Sequence, residues 1–190
     1  MITVSEATKS GVRALSRKLL KLLEDKNSQI YQDNVAKFGI PKEYVKKAFS
    51  EKTLLEAAAS AKTTIYLALE NRCKILGFAQ TIQREADTTE LDRIVVFPEY
   101  ARKGIGTQLL AKVVKDEKRK GTKAIIVNAG KGETHARRFY EKNSFAAVKE
   151  VTMEAPWGNK ITLVAYQLQL NSDWHNPLLA AEPASGTVYI

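Results

Sequence analysis

The chain has 190 residues, 44% hydrophobic and 27% charged, enough to bury one sizeable core and short for two ordinary domains. Thirty Lys and Arg against 21 Asp and Glu leave a formal charge of +9, a field that draws anionic partners such as nucleic acid, membrane headgroups or a polyphosphate cofactor. The single cysteine excludes an intramolecular disulfide and a Cys-rich zinc site; no stretch approaches the ~18 apolar residues of a membrane span, and no apolar leader follows the N-terminus, so a soluble cytoplasmic protein is expected.

Residues 2–8 are strand-like. Val12, Leu15, Leu19, Leu22 and Leu23 then recur at helical spacing up to a turn at Lys26-Asn27-Ser28, predicting an amphipathic helix. Ile30, Tyr31, Val35 and Phe38 predict a second helical piece ending at Gly39. Pro41 opens another, with Tyr44, Val45, Ala48 and Phe49 on one face. The Thr53 to Glu56 spacing predicts a capping box before the Ala-rich run to Ala61. The period then changes to extended: 63–70 and 74–83 flank Asn71-Arg72-Cys73, a hairpin by its length and turn composition, with Cys73 as an inert turn residue.

A polar loop over 85–89 precedes a third extended run, 90–96. After a loop at 97–102, Leu109, Leu110, Val113 and Val114 mark a helix that stops at Gly121. A strand over 123–128 follows, then a helix over 134–142 with Thr134 as its N-cap. Residues 148–153 and 161–170 are the last strands, around the turn Pro156-Trp157-Gly158-Asn159. In outline the order is β-α-α-β-β-β-α-β-α-β-β, an α+β fold with a mixed, mainly antiparallel central sheet flanked by helices and one parallel pair. Residues 1–170 read as one domain. Residues 171–190 carry Pro177, Pro183 and Gly186 without clear periodicity and read as a tail.

The most informative residues are Arg102, Lys103, Gly104, Ile105, Gly106 and Thr107, between a strand and a helix. Two glycines let backbone N–H groups turn toward one point, while the helix start and two basic side chains add positive charge, which together make an anion cradle. For a lone GxG, a merely tight turn is the commoner explanation. A dinucleotide fingerprint fails because its third small residue is Leu109 here, and a P-loop fails because Gly132 follows Gly130-Lys131.

The whole run ELDRIVVFPEYARKGIGTQLLAKVV resembles motif A of the GNAT acetyltransferases, and Ala136-Arg137-Arg138-Phe139-Tyr140-Glu141-Lys142 followed by Phe145 is similar to that superfamily's second cofactor motif, AxxFYxKxGF. The chain departs from these patterns at Ala101, where the superfamily has Gln or Arg, at Glu133, where Asn is usual, and at Ser144, where Gly is usual. The Leu91-Asp92-Arg93-Ile94 context is similar to spermidine/spermine-like members.

The resemblance implies a GNAT fold and an acetyl-CoA-dependent N-acetyltransferase without a metal. It implies that amides from Arg102 to Thr107 bind the CoA pyrophosphate, that Ile94, Val95 and Val96 pair their backbone with the pantetheine arm and offer an N–H to the thioester oxygen, and that Asn128, Ala136 and Phe139 also contact the cofactor. Tyr140 matches the tyrosine that protonates the departing thiolate in many relatives; as a purely structural residue it would form a buried helix face with Ala136 and Phe139. Asp92 and Glu90, on one strand face by period-two spacing, are candidate bases for an acceptor ammonium, Asp92 ahead of Glu90; the alternative for Asp92 is a surface ion pair with Arg93. His135 and His175 lack the spacing of a metal pair.

The expected acceptor is a primary amine on a small molecule, a polyamine, or a peptide or protein, with direct attack in a ternary complex. The charge of +9 counts against a polyamine. A non-catalytic acyl-CoA sensor with a GNAT fold is the alternative, motivated by Ala101, Glu133 and Ser144. Nucleic-acid binding is not expected, because no aromatic and basic stripe interleaves. The resemblance also allows a homodimer, with Trp174 or Tyr189 as anchors.

Overall fold

Alternation along TTIYLALE sends Ile65 and Leu67 to one side of a sheet and Tyr66 and Ala68 to the other, and both sides are buried. The computed structural model describes residues 1–170. They form strands β1 (Ile2–Glu6), β2 (Thr63–Glu70), β3 (Lys74–Gln83), β4 (Thr88–Val96), β5 (Ala124–Gly130), β6 (Ala146–Glu154) and β7 (Lys160–Gln169), in the spatial order β1-β2-β3-β4-β5-β7-β6. Every neighbouring pair is antiparallel except β4 and β5.

One face is covered by α1 (Lys9–Glu24), α2 (Gln29–Tyr31), α3 (Lys42–Ala48) and α4 (Glu51–Ala59). Thr8 caps α1 by accepting the Gly11 N–H at 3.1 Å, and Val12, Leu15, Leu19 and Leu23 are fully buried against Ile65, Leu67 and Phe78. Each such side chain stabilises the fold by roughly 1.5–3 kcal/mol. The other face carries α5 (Ile105–Lys120) and α6 (Thr134–Lys142), with Ile105, Leu109, Leu110 and Val113 packed on Tyr66, Leu76, Ala79 and Leu91. Among the described residues no helix is long and apolar enough to cross a membrane.

Two irregularities in β4 position the site. Its parallel pairing with β5 covers only Thr88 to Glu90 against Ala124 to Ile126, so among the described residues 91–96 have no partner strand on that side and the two strands diverge. Against β3 the register runs Gln80↔Arg93 and then Thr81↔Leu91, which leaves Asp92 as the extra residue of a β-bulge. The bulge shifts the alternation: Leu91 packs into the α5 cluster, and so do Ile94 and Val96, while Val95 packs with the α1–α4 cluster.

The GNAT-like order holds in outline, and the helical run before β2 is cut into more pieces than that outline. After α2 the backbone winds as a π-helix over Gln32–Ala36, where the buried Asn34 side chain donates to the Ile30 carbonyl at 2.8 Å, the acceptor an α-helix would give its backbone amide. Tyr44 is 52% exposed rather than on the buried face of α3. Ser50, not Thr53, caps α4, accepting the Thr53 N–H at 3.2 Å. Glu133 stands at the N-cap of α6 and Thr134 is its first helical residue. β4 starts at Thr88, inside the expected loop. Cys73 is exposed in the turn between β2 and β3. The expected tail, with His175, Trp174 and Tyr189, lies outside the described residues.

Candidate active site

Past the divergence, β4 ends at Val96 and a 3-10 turn at Pro98–Tyr100 leads into the loop before α5. Arg102 and Gly104 both adopt left-handed backbone, at φ +60° and +73°. Gly104 is the N-cap of α5 and provides no side-chain cap. The first-turn amides of a helix lack intrahelical acceptors, so the N–H groups of Ile105, Gly106 and Thr107 are left for a ligand at the positive end of the helix.

These residues border a cleft of about 650 Å³ between β4, α5 and α6. It brings together Ile94, Val96, Arg102, Gly104, Ile105, Gly106, Thr107, Ala136, Phe139 and Tyr140 from the expected set, and adds Ala101, His135, Lys142 and Asn143. Val95, Lys103 and Asn128 do not line it: Val95 faces the α1–α4 cluster, Lys103 lies 5.9 Å from the Tyr100 ring, and Asn128 sits beside Glu90. Lys142 is the lysine of the second motif and His135 directly precedes that motif, so their place on the cleft follows from α6 being helical; Ala101 and Asn143 carry no chemical signal of their own.

The cleft has the character a CoA thioester requires. Arg102, Lys142 and the free amides of α5 suit phosphate, and Ile94, Val96 and Phe139 offer an apolar wall to a pantetheine arm. Space is limiting at the cradle: a Cβ on Gly106 would fall 3.2 Å from Phe139 Cε2 and 3.6 Å from Val96 Cγ2. Alternate backbone N–H and C=O groups of 91–96 point toward the missing partner strand, so an extended ligand can pair there.

Tyr140 borders the cleft from α6, with its ring 5.6 Å from those of Phe139 and Phe145 and 5.9 Å from that of Tyr166. Burial, with a smaller push from the Glu133 carboxylate, raises its phenol well above the usual value, so it stays protonated at neutral pH.

Glu90 and Asp92 occupy a buried polar cluster. Glu90 Oε2 pairs with Arg84, and Glu90 Oε1 accepts from Asn128 Nδ2 at 3.4 Å. Asp92 Oδ2 accepts from Gln80 Nε2 and from Arg93 Nε, both at 3.1 Å. The Asp92–Arg93 pair is therefore buried, not a surface bridge: the side chains are 5% and 8% exposed. Burial raises both carboxyls above their ordinary values, against the pull of Arg84 on Glu90 and of Arg93 on Asp92.

A second cavity, about 700 Å³, opens between the segment after the π-helix, the β5–α6 turn and the start of β7. Glu133 borders it and bonds Lys37 Nζ at 2.8 Å across 96 residues of sequence. The sequence marks Glu133 only as a departure from the second motif; its partner lies too far along the chain for any local pattern to show.

Residues 27–145 match the model of the Acetyltransferase (GNAT) family, more than half of the chain, and the protein belongs to that family. It is an acetyltransferase by that membership. An N-acetyltransferase from Staphylococcus aureus is 20% identical, with a TM-score of 0.67 over 90% of this chain and 99% of that one. PaiA N-acetyltransferase of Thermoplasma acidophilum, in complex with coenzyme A, is 18% identical, with a TM-score of 0.65 over 89% and 99%. Salmonella typhimurium yncA, with its cofactor acetyl-CoA, is 17% identical, with a TM-score of 0.65 over 93% and 97%. At these identities the structures show the shared fold. No curated protein sequence matches the chain.

Proposed function

We propose that this protein transfers an acetyl group from acetyl-CoA to a primary amine in a ternary complex, in a cytoplasmic setting. The observation that carries this reading is the junction of the free α5 amides with the unpaired edge of β4 on one cleft. Arg102, the amides of Ile105 to Thr107 and Lys142 hold the phosphates, and Ile94, Val96 and Phe139 hold the pantetheine arm. Acetyl-CoA supplies the activated acyl carbonyl and a thiolate leaving group.

The chain's own residues do the rest. A backbone N–H of the unpaired β4 edge donates to the carbonyl oxygen, where negative charge develops on attack. The protonated Tyr140 phenol delivers its proton to the leaving sulfur. On the other face of the sheet, Asp92 at the bulge takes the ammonium proton of the acceptor, directly or through a water, and Glu90 sets the charge beside it. A carboxyl raised by burial is a stronger base than an exposed one, which suits this task.

The test is release of CoA thiol from acetyl-CoA across cationic, neutral and anionic primary amines and peptides with free N-termini or lysines. Amine-dependent release supports transfer. Tight acetyl-CoA binding with no release in any arm supports a sensor instead.

A further inference from the structure

The second cavity lies on the acceptor side of the proposed reaction. Gly130 ends β5 at its wall, and Asn128, two residues earlier on the same sheet face, reaches Glu90. A Cβ on Gly130 would fall 2.9 Å from Phe38 Cζ and 3.0 Å from Glu133 Cγ, so only glycine lets these two side chains close on the strand end. An amine that approaches the gap between β4 and β5 from this face passes the cavity.

Its charged lining is three lysines, Lys37, Lys131 and Lys160, against one glutamate, Glu133. The glutamate cannot serve as a docking point for a second cation. Its side chain is 4% exposed, one oxygen holds Lys37, and the other is buried away from solvent without a hydrogen-bond partner among the described residues. Burial raises its carboxyl, against the pull of Lys37. Lys131 pairs with Glu150 at 2.8 Å, but both side chains are about half exposed, so a ligand can replace that partner at little cost. Lys160 makes no ion pair among the described residues. A polyamine would meet excess positive charge here; an anion would meet an uncommitted ammonium and a second one held in place by a buried carboxylate.

We infer that the acceptor is a small primary amine that also carries a carboxylate or phosphate, with Lys160 and Lys37 binding that anionic group in the cavity beside the β5–α6 turn. This rests on the acetyl-transfer reading above and narrows its substrate class. Lys160 is then a specificity residue, Lys37 is a cation fixed by Glu133, and neither takes part in proton transfer.

The experiment uses the full chain and measures thiol release with β-alanine and aspartate for the carboxylate arm, 2-aminoethyl phosphate for the phosphate arm, and ethanolamine and putrescine as neutral and cationic controls. Acetyl-CoA binding is followed by calorimetry alongside. The expected result is a lead of roughly tenfold or more in kcat/KM for one anionic arm over both controls, the scale of one charge-assisted contact. Lys160→Met should erase that lead through KM, with kcat and the acetyl-CoA Kd retained; Lys160→Glu should raise putrescine above the anionic amines. The inference is overturned by a leading putrescine, by a lead that survives Lys160→Met, or by an unreactive panel on protein that binds acetyl-CoA. Failure to bind acetyl-CoA at all overturns the acetyl-transfer reading itself, so the two failures are distinguishable.

Discussion

Gly104 and Gly106 stand two residues apart at the start of α5, and the structure demands glycine at each for a different reason. Gly104 has φ +73° with nothing within 4 Å of a built Cβ, so Gly104→Ala meets only the left-handed backbone penalty of about 1–2 kcal/mol, partly offset by a stiffer unfolded chain. A net loss near 1 kcal/mol lowers Tm by roughly 2–4 °C in a chain of this size. Gly106 is the second residue of α5, where alanine is favoured over glycine by at most roughly 0.5–1 kcal/mol, and that gain is set against a Cβ 3.2 Å from the edge of the Phe139 ring, which must give by a few tenths of an ångström. Gly106→Ala should therefore leave Tm within about 2 °C of wild type while adding a methyl to the cleft wall; overpacking of about 1–3 kcal/mol weakens acetyl-CoA binding by roughly 5- to 150-fold. Thermal melts and calorimetric titration of both variants provide the assay. The reasoning is refuted if Gly106→Ala binds acetyl-CoA like wild type, or if Gly104→Ala is as stable as wild type.

Tyr140→Phe should lower kcat by roughly 10²- to 10⁴-fold with the acetyl-CoA Kd little changed, because the ring packing survives and only the proton donor is lost; a variant with full turnover assigns Tyr140 to packing alone. Asp92 is raised by burial, so the folded chain holds its proton more tightly than the unfolded chain, and stability falls as pH rises from the unfolded toward the folded pKa and stays reduced above it. Asp92→Asn should thus raise Tm at neutral pH, raise it progressively less as pH falls from the raised folded pKa toward the ordinary Asp value of about 3.9, and remove the acidic limb of kcat/KM. Tm against pH and a pH–rate profile check this; a less stable variant at neutral pH, or an unchanged profile, contradicts it. Gly77→Ala would place a Cβ 2.5 Å from the Val95 carbonyl oxygen and 3.1 Å from Val96 Cα, forcing β3 and the end of β4 apart. A Tm loss of roughly 2–12 °C is expected, and melting at the wild-type temperature would show that the strands yield freely.

The β2–β3 hairpin was legible to the residue, because Asn71-Arg72-Cys73 interrupts two extended runs and both Asn71 and Arg72 take positive φ. The start of β4 was not. Thr88 and Thr89 look like loop, yet they are buried, and Thr89 Oγ1 donates to Glu117 Oε2 at 2.6 Å. Glu117 also accepts from Thr122 Oγ1 at 2.7 Å, tying the end of α5 to the only parallel pairing of the described sheet. A satisfied buried carboxylate 28 residues away turns a polar segment into a core strand, and local pattern cannot show it. The bulge at Asp92 was hidden for a similar reason. Strict alternation puts Leu91 and Ile94 on opposite faces, whereas both join the α5 cluster, so a period-two count through Asp92 does not fix where its carboxyl points. The cleft between β4, α5 and α6 was largely legible as a cluster because most of its lining is contiguous in two motifs, while the second cavity draws on segments around Lys37, Glu133 and Lys160 that only the fold unites.

The central claim is that acetyl-CoA binds where the free α5 amides meet the unpaired edge of β4. Amide hydrogen exchange with and without acetyl-CoA tests it most directly. The account predicts slowed exchange at 105–107 and along 91–96, with little change at 158–162 beside the second cavity; protection confined to 130–133 and 158–162, with the start of α5 unaffected, would contradict it.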